Sequence, residues 1–446
     1  MLDEARTTEL LASTAATMGN ITHIKLSNKS FGNEAVAVLA PALKSMASLQ
    51  VADLSDIIAG RETSIGLNVL TTISEALSES SNLLEVDLSE NALGPRGVTA
   101  CRPLLSSVKS LKRLTFNNNG LSSEAMDEIR DLLLFRGKDV PTVLEKLHFF
   151  NNMSGDGGGV AISSVITLSP NLLDFTLSST RCGSDGGAVL LQALGTRTTL
   201  QHLDLSDNTF GGNAAPLLRP LVTNNLNLIT LNLSDLSLEN EGVAVVLECL
   251  ATTGKAAAVQ RGLTFLDLSF NGVVDGHEVL KHFSALIAQC PELTTFNFEE
   301  NEIGTRGALR LARGMSKSLV LKNLNLKMCD IHDKGALAIV KEYANRGGKG
   351  LLELNGNMLS ESVLEEVAAL LAEKHELGSM SDNDPDGDNE EEDEGEWMND
   401  VAEENEVAAA AVAAAAAVAV AAGGGAQGSA DDVDDLSSQI SGMKVV

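Results

Sequence analysis

The side chains that could do chemistry in this 446-residue chain are few and far apart. Seven histidines are scattered, and no HExxH, GxSxG or CxxC occurs. The 61 acidic residues are dispersed, so no acid–base pair stands out. Two glycine-rich stretches, SGDGGG (154–159) and RGGKG (346–350), lack the GxxxxGK[ST] spacing of a phosphate loop and fit connecting turns where positive φ is needed. Any catalysis must therefore use a partner's chemistry or a very small constellation. One stretch breaks with its surroundings: LSDIIAGR (54–61), in which Arg61 follows Gly60. The plain reading of a loop arginine is solvated surface; the sharper one is a contact for a partner.

That stretch stands out because everything around it repeats. On the template LxxLxLxxNxL, segments begin at residues 21, 49, 83, 111, 144, 172, 200, 228, 263, 293, 321 and 349, with a basic step of 28. LKRLTFNNNGL and LQHLDLSDNTF are clear copies; ITHIKLSNKSF is degenerate, as a capping repeat often is; LKNLNLKMCDI puts Cys329 at the asparagine position. Helical patterns lie between, so each unit reads as strand, turn and helix. The expected fold is α/β: a leucine-rich-repeat solenoid, a horseshoe of about 12 repeats. Residues 1–20 would be an N-terminal cap segment, 21–377 the solenoid, and 378–446 an acidic, Ala/Val-rich tail, disordered for want of a core.

The template fixes directions. Positions 1, 4, 6 and 11 point into the core, and the position-9 asparagine turns inward to satisfy the turn backbone. Position 5 faces the concave surface, and positions 7 and 8 lie on the rim. Ten of the 24 residues at positions 5 and 8 are acidic and one is a lysine, which suggests a docking face for a basic partner. Asp56, Glu90, Asp207, Asp235 and Glu300 are its rim acids. The competing reading is an acidic body showing its charge everywhere. In FNNNGL, Asn119 takes the inward position and Asn118 the outward one. Repeat 2 is six residues longer than the basic unit and has Ile57 at the inward position, so its turn is expected to be non-standard, with Arg61 exposed on the departing loop. Two strand spacings would put Arg61 and Asn118 roughly 10 Å apart.

Formal net charge is −29, and residues 376–446 carry 19 acidic residues against one basic. Such a balance argues against nucleic acid as partner. The apolar run 407–422 is Ala and Val flanked by acids, short for a membrane span, so no membrane role is expected. Five widely spaced cysteines and the absence of a secretory leader read as reduced thiols in the cytosol or nucleus.

LSDIIAGR (54–61) resembles the signature of the GTPase-activating proteins for Ran, and the similarity extends through LSENALGPRG (88–97), FNNNGLSSEA (116–125), LDLSDNTFGG (203–212) and LELNGN (352–357). It covers the solenoid in phase, including the long second repeat, and the acidic tail. The resemblance implies binding of GTP-loaded Ran and faster hydrolysis of its GTP. Arg61 would be the family's loop arginine, Asn118 its rim asparagine and Asp207 its rim acid. In that family the GTPase keeps its own water-orienting glutamine, and the activator's asparagine helps hold it. The chain would then be an activator without a cofactor of its own, GTP and Mg²⁺ being carried by the GTPase. It would be a cytoplasmic or perinuclear monomer, joined in a ternary complex by a Ran-binding protein. Thr63, Asn151 and Met153 stand where family members are often basic. The plant-type targeting and animal-type modifier-accepting domains are not expected here.

Two rival readings share the fold. A non-catalytic leucine-rich-repeat adaptor or ribonuclease-inhibitor-like binder would have no need of Arg61 and Asn118. An innate-immune sensor array would need a nucleotide-binding module.

Overall fold

The computed structural model describes residues 2–384 apart from 13–14, 136–140, 252–261, 275–276, 317–319, 348 and 372–373. The Ala/Val-rich run and nearly all of the acidic tail lie outside the described residues. Thirteen strands, from β1 (His23–Lys25) to β13 (Glu376–Leu377), form one parallel sheet in chain order, each strand paired to the next. That is one strand beyond the twelve template repeats. Pairing follows the template residue for residue: Lys25 opposes Asp53, Asp53 opposes Asp87, Asp87 opposes Thr115 and Thr115 opposes His148. The fold is a leucine-rich-repeat solenoid.

Three-residue strands such as β2 (Val51–Asp53), β3 (Glu85–Asp87) and β4 (Arg113–Thr115) bury only their central residue, the template's position 4. Position 6 is buried just beyond, at Leu54, Leu88, Phe116 and Phe149, and the last two stack with ring centroids 5.4 Å apart. Helices on the convex side complete the core. Each strand pair contributes too little apolar area to fold alone, so the core is continuous along the stack.

Every loop leaving the sheet turns in the same way. Position 8 has positive φ in all twelve repeats, from 50° at Asp56 to 71° at Gly356. Position 9 then points inward, and where it is asparagine its amide serves the repeat before it. Asn91 donates to Leu54 O (2.8 Å) and its own Leu88 O (2.9 Å), while its Oδ1 accepts from Ile57 N (3.0 Å). Asn119 Oδ1 accepts from Asn91 N (3.0 Å), and Asn152 Oδ1 from Asn119 N (3.1 Å). Where the residue is Cys329, its Sγ lies 3.4 Å from Phe298 O and 3.3 Å from Lys327 O, imitating the amide donor. The ladder ends at Asn383, whose Oδ1 accepts from Asn357 N (2.8 Å), so Gly378–Asp384 cap the stack through Gly378 N to Leu352 O and Asp384 N to Asn357 O (both 2.9 Å).

Repeat 2 keeps this turn, contrary to the sequence expectation. Its loop is closed by Asn91 of repeat 3, so its own asparagine is not what shapes it. Ile57 fills the inward position, fully buried, and Ile58 packs on Gly66 of α3 (Thr63–Leu77). The extra length is also shared out: α3 has 15 residues where α2 (Asn33–Ser45) has 13, and only part of it enters the loop.

The glycine stretches are structural for reasons the turn reading only half captures. Gly155 has φ 55°, but Gly159 lies inside the helix Gly155–Thr167, where a Cβ would sit 2.8 Å from Cys182 Sγ and 2.9 Å from Gly186 O. In RGGKG, Arg346 is buried and donates to Leu321 O (3.1 Å) and Met315 O (2.9 Å).

Asn119→Ala is expected to destabilise the solenoid by about 1–3 kcal/mol, since it orphans Asn91 N and removes one of the two donors to Leu88 O, whereas Asn118→Ala should cost under about 0.5 kcal/mol. Denaturant melts of the two variants check this.

Candidate functional site

The candidate residues all stand on the loops that follow the strands. Asp56, Glu90, Asn118, Asp207, Asp235 and Glu300 occupy position 8, where left-handed backbone turns the side chain off the sheet. Glu90, Asp207, Asp235 and Glu300 are exposed, and Asp56 and Asn118 half-exposed. Asn119 is buried, so the assignment of the two neighbouring asparagines to rim and core holds.

Asn118 is a fixed group. Its Nδ2 donates to the Glu90 carboxylate, and its Oδ1 accepts from Asn151 Nδ2, so a chain Glu90–Asn118–Asn151 crosses repeats 3 to 5 along the rim. One N–H of the Asn118 amide remains for a partner. Two exposed apolar side chains adjoin it. Phe150, 43% exposed, is held by its N–H to Asn117 Oδ1 (2.9 Å), and Met153, 55% exposed, lies over Gly120.

Arg61 is not the free loop side chain that the sequence suggested. Ala59 and Gly60 form the exposed tip (Gly60 φ 69°), and the chain then brings Arg61 back, half-buried, against repeat 1. Its Nε donates to Ser30 Oγ (2.9 Å) and its Nη2 to Ser30 O (2.8 Å), with Leu2 O at 3.5 Å. Ser30 Oγ in turn donates to Ala59 O (2.7 Å). Ile57 has no side-chain amide to reach back to repeat 1; its carbonyl accepts from Phe31 N (3.0 Å), and the Arg61–Ser30 clasp adds a second tie between the two loops. No ion pair neutralises Arg61 among the described residues. Its guanidinium, tied at one edge, keeps N–H groups for a partner.

The concave acids prove different from the rim acids. Asp53 accepts from Ser55 N (3.1 Å) and Ser55 Oγ (2.6 Å), Asp204 from Ser206 in the same way, and Asp267 from Ser269. These carboxylates cap the strand exits, which is the physical content of the recurring LDLS. At Asp53 burial works against ionisation, but the serine hydrogen bonds and Lys25 prevail and hold the pKa below its ordinary value. At the more deeply buried Asp267 burial prevails and the pKa rises. Basic residues pair within the middle of the face: Arg113 with Glu85 (2.7 Å), Lys112 with Glu145 (2.6 Å) and His148 with Asp174 (2.7 Å). Part of the concave charge is thus paired or tied to serine, while Asp87, Asp204 and Asp267 there and the position-8 acids of the rim have no ion-pair partner among the described residues. On the rim Asp235 has a raised pKa, first from burial and then from the neighbouring Asp207.

Nothing in the described residues resembles an independent catalytic centre. Burial pushes the Cys101, Cys182 and Cys290 thiols up to about 12, which leaves them inert as nucleophiles. Among the described residues no three His, Cys, Asp or Glu side chains are grouped to hold a metal ion, and no helix is long and apolar enough to cross a membrane. The template places the rim residues, but nothing in it points to the Ser30 anchor. The available signal was a serine two residues before Gly32, the residue that precedes α2, which without coordinates has no meaning.

A family model described as Leucine Rich repeat matches residues 79–100, 197–215 and 317–340. RAN GTPase-activating protein 1 of Arabidopsis thaliana is 39% identical over 114 residues, 25% of this chain and 21% of that protein. NACHT, LRR and PYD domains-containing protein 3 of Rattus norvegicus is 27% identical over 314 residues, 64% of this chain and 29% of that protein. The chain thus spans about a fifth of the first relative and under a third of the second. An internalin from Listeria monocytogenes shares the fold, with a TM-score of 0.51 at 15% identity over 84% of this chain and 95% of that one. Repeat motif, architecture and relatives agree on a leucine-rich-repeat module for protein–protein interaction.

Because the folded state disfavours the charged form of Asp235, its contribution to stability falls as pH rises through the carboxylate range. Asp207→Asn should move the Asp235 midpoint down, leaving it above the ordinary value because burial remains. A carbon-13 carboxyl titration by NMR measures both.

Proposed function

We propose that this interaction scaffold binds a GTP-loaded Ran-type GTPase along the rim of repeats 2–5 and stimulates its GTP hydrolysis. The observation that carries the reading is the Glu90–Asn118–Asn151 chain: an amide locked on the rim, at the position that matches the family's functional asparagine, with a donor left over. The resemblance of LSDIIAGR and the plant relative support it. The partner would bring GTP, Mg²⁺ and its own water-orienting glutamine. Asn118 would brace that glutamine in its productive position, and Arg61, anchored by Ser30, would fix the loop on which the GTPase rests. An acceleration of about 10⁵-fold corresponds to about 7 kcal/mol of barrier, within reach of positioning and water exclusion in a closed interface. Asp56, Glu90, Asp207, Asp235 and Glu300 would steer a basic partner face. A Ran-binding protein in a ternary complex and a cytoplasmic or perinuclear site of action belong to the same proposal.

A second reading is favoured by two observations. A similarity longer than that to the plant protein runs to a protein not named as a GTPase activator, and Arg61 already has a structural task. On that reading the chain is a non-catalytic leucine-rich-repeat binder, and Arg61 merely clasps two loops.

Hydrolysis by Ran-GTP with catalytic amounts of the full chain separates them. The proposal expects multiple turnovers, with none on Ras-like or Rho-like GTPases. Asn118→Ala should lose turnover mainly in kcat with normal melting. Arg61→Ala should lose most stimulation while costing only about 1 kcal/mol of stability for its hydrogen bonds. No stimulation by the parent chain would leave the non-catalytic binder; wild-type stimulation by both variants would keep the activity and remove Arg61 and Asn118 from its site.

A further inference from the structure

The rim changes character after repeat 8. Left-handed backbone is easiest for glycine, asparagine and aspartate and hardest for bulky side chains. At position 8, ten of the twelve residues are polar or glycine; the exceptions are Phe270 in repeat 9 (φ 56°) and Met328 in repeat 11 (φ 52°). Both are also exposed, Phe270 by 45% and Met328 by 50%. Neither serves the core, which Leu266 and Leu268 fill in repeat 9 and Leu324 and Leu326 in repeat 11. Two large apolar side chains thus stand where backbone and water both disfavour them, and folding gains nothing. Room is kept for one of them: Gly356 follows Met328 on the next rung, and a Cβ there would come 2.8 Å from Met328 Cγ.

The surroundings give the patch a sign. Phe270 N donates to Glu299 O (2.9 Å), Glu300 N to Lys327 O and Met328 N to Asn355 O, so Phe270, Glu300 and Met328 lie on consecutive rungs. Phe270 and Met328 are two rungs apart, roughly 10 Å. Asp207 and Asp235 precede them, and Glu302 and Asp330 are exposed two residues beyond Glu300 and Met328. None of these five carboxylates has an ion-pair partner among the described residues. Lys327 is already paired with Glu299 (3.1 Å) and lies 3.9 Å from Glu353.

We propose that the rim of repeats 9–11 is a docking site for a basic amphipathic helix of a partner protein. Phe270 and Met328 each receive an apolar side chain, and Glu300 receives the lysine or arginine between them. Spacing selects a helix: residues seven apart lie on one face about 10.5 Å along the axis, with residues three and four along falling midway. The unpaired carboxylates select the charge. The site stands apart from Arg61 and Asn118 and does not rest on the GTPase reading.

The test is fluorescence anisotropy of the full chain with a synthetic helical peptide bearing leucines at i and i+7 and arginines at i+3 and i+4. A peptide of the same composition in scrambled order is the control. The patterned peptide should bind at least about tenfold tighter. The double variant Phe270→Asn, Met328→Asn should erase that preference, and it should melt no lower than wild type because asparagine suits the left-handed backbone. Glu300→Gln should weaken the patterned peptide strongly at low salt and little at high salt. Equal affinity for the two peptides, undiminished preference in the double variant, or tighter binding of an extended peptide with apolar residues three apart would each overturn the proposal.

Discussion

The interaction on which this structure depends is the inward amide at position 9, which closes the loop of the repeat before its own. Asn91 serves Leu54 O and Ile57 N and Asn119 serves Leu88 O and Asn91 N; the series is interrupted at Thr180 and Leu236, is taken up again by Asn208 and Asn271, and ends at Asn383. Two consequences follow. Where the amide is present a loop is not complete without its successor, so cooperativity runs through the polar rim as well as the apolar core. And turning position 9 inward forces position 8 into left-handed backbone, with its side chain outward. The row of rim side chains is therefore a by-product of how the core is closed, and its chemistry is free to vary.

Repeat 2 shows how that freedom is used. Because Asn91 closes its loop, Ile57 can replace the asparagine without changing the turn. What is lost is the side-chain amide tie back to repeat 1; the backbone bond from Phe31 N to Ile57 O remains, and the Arg61–Ser30 clasp adds to it. A charged group is thereby held half-buried at the end of the rim nearest the N-terminus. The anchoring is compatible with a role toward a partner, since a pre-positioned guanidinium loses less entropy on binding than a free one.

Much of this was legible in the sequence, because a twelve-fold repeat states its register many times over. The inward and outward assignments of Asn119 and Asn118 followed from the template alone, as did the rim placement of Asp207, Asp235 and Glu300. What escaped needed coordinates that link residues a full repeat apart. Arg61 read as free because its partner, Ser30, lies 31 positions earlier. Asp53, Asp204 and Asp267 read as a docking surface because composition cannot distinguish a carboxylate that caps Ser55, Ser206 or Ser269 from one left in water. The strand Glu376–Leu377 escaped because it carries no template leucines beyond Leu377, and only its pairing with Leu351–Leu352 reveals it.

The central claim is that the loop rim of repeats 2–5, and neither the concave sheet nor the convex helices, is the working surface. Hydrogen–deuterium exchange of the full chain, with and without Ran bound to a non-hydrolysable GTP analogue, tests it most directly. The account predicts new protection in segments 54–62, 88–93, 116–122 and 150–154, and none when Ran carries GDP. Protection confined to the convex helices, or equal protection by the GDP form, would contradict it.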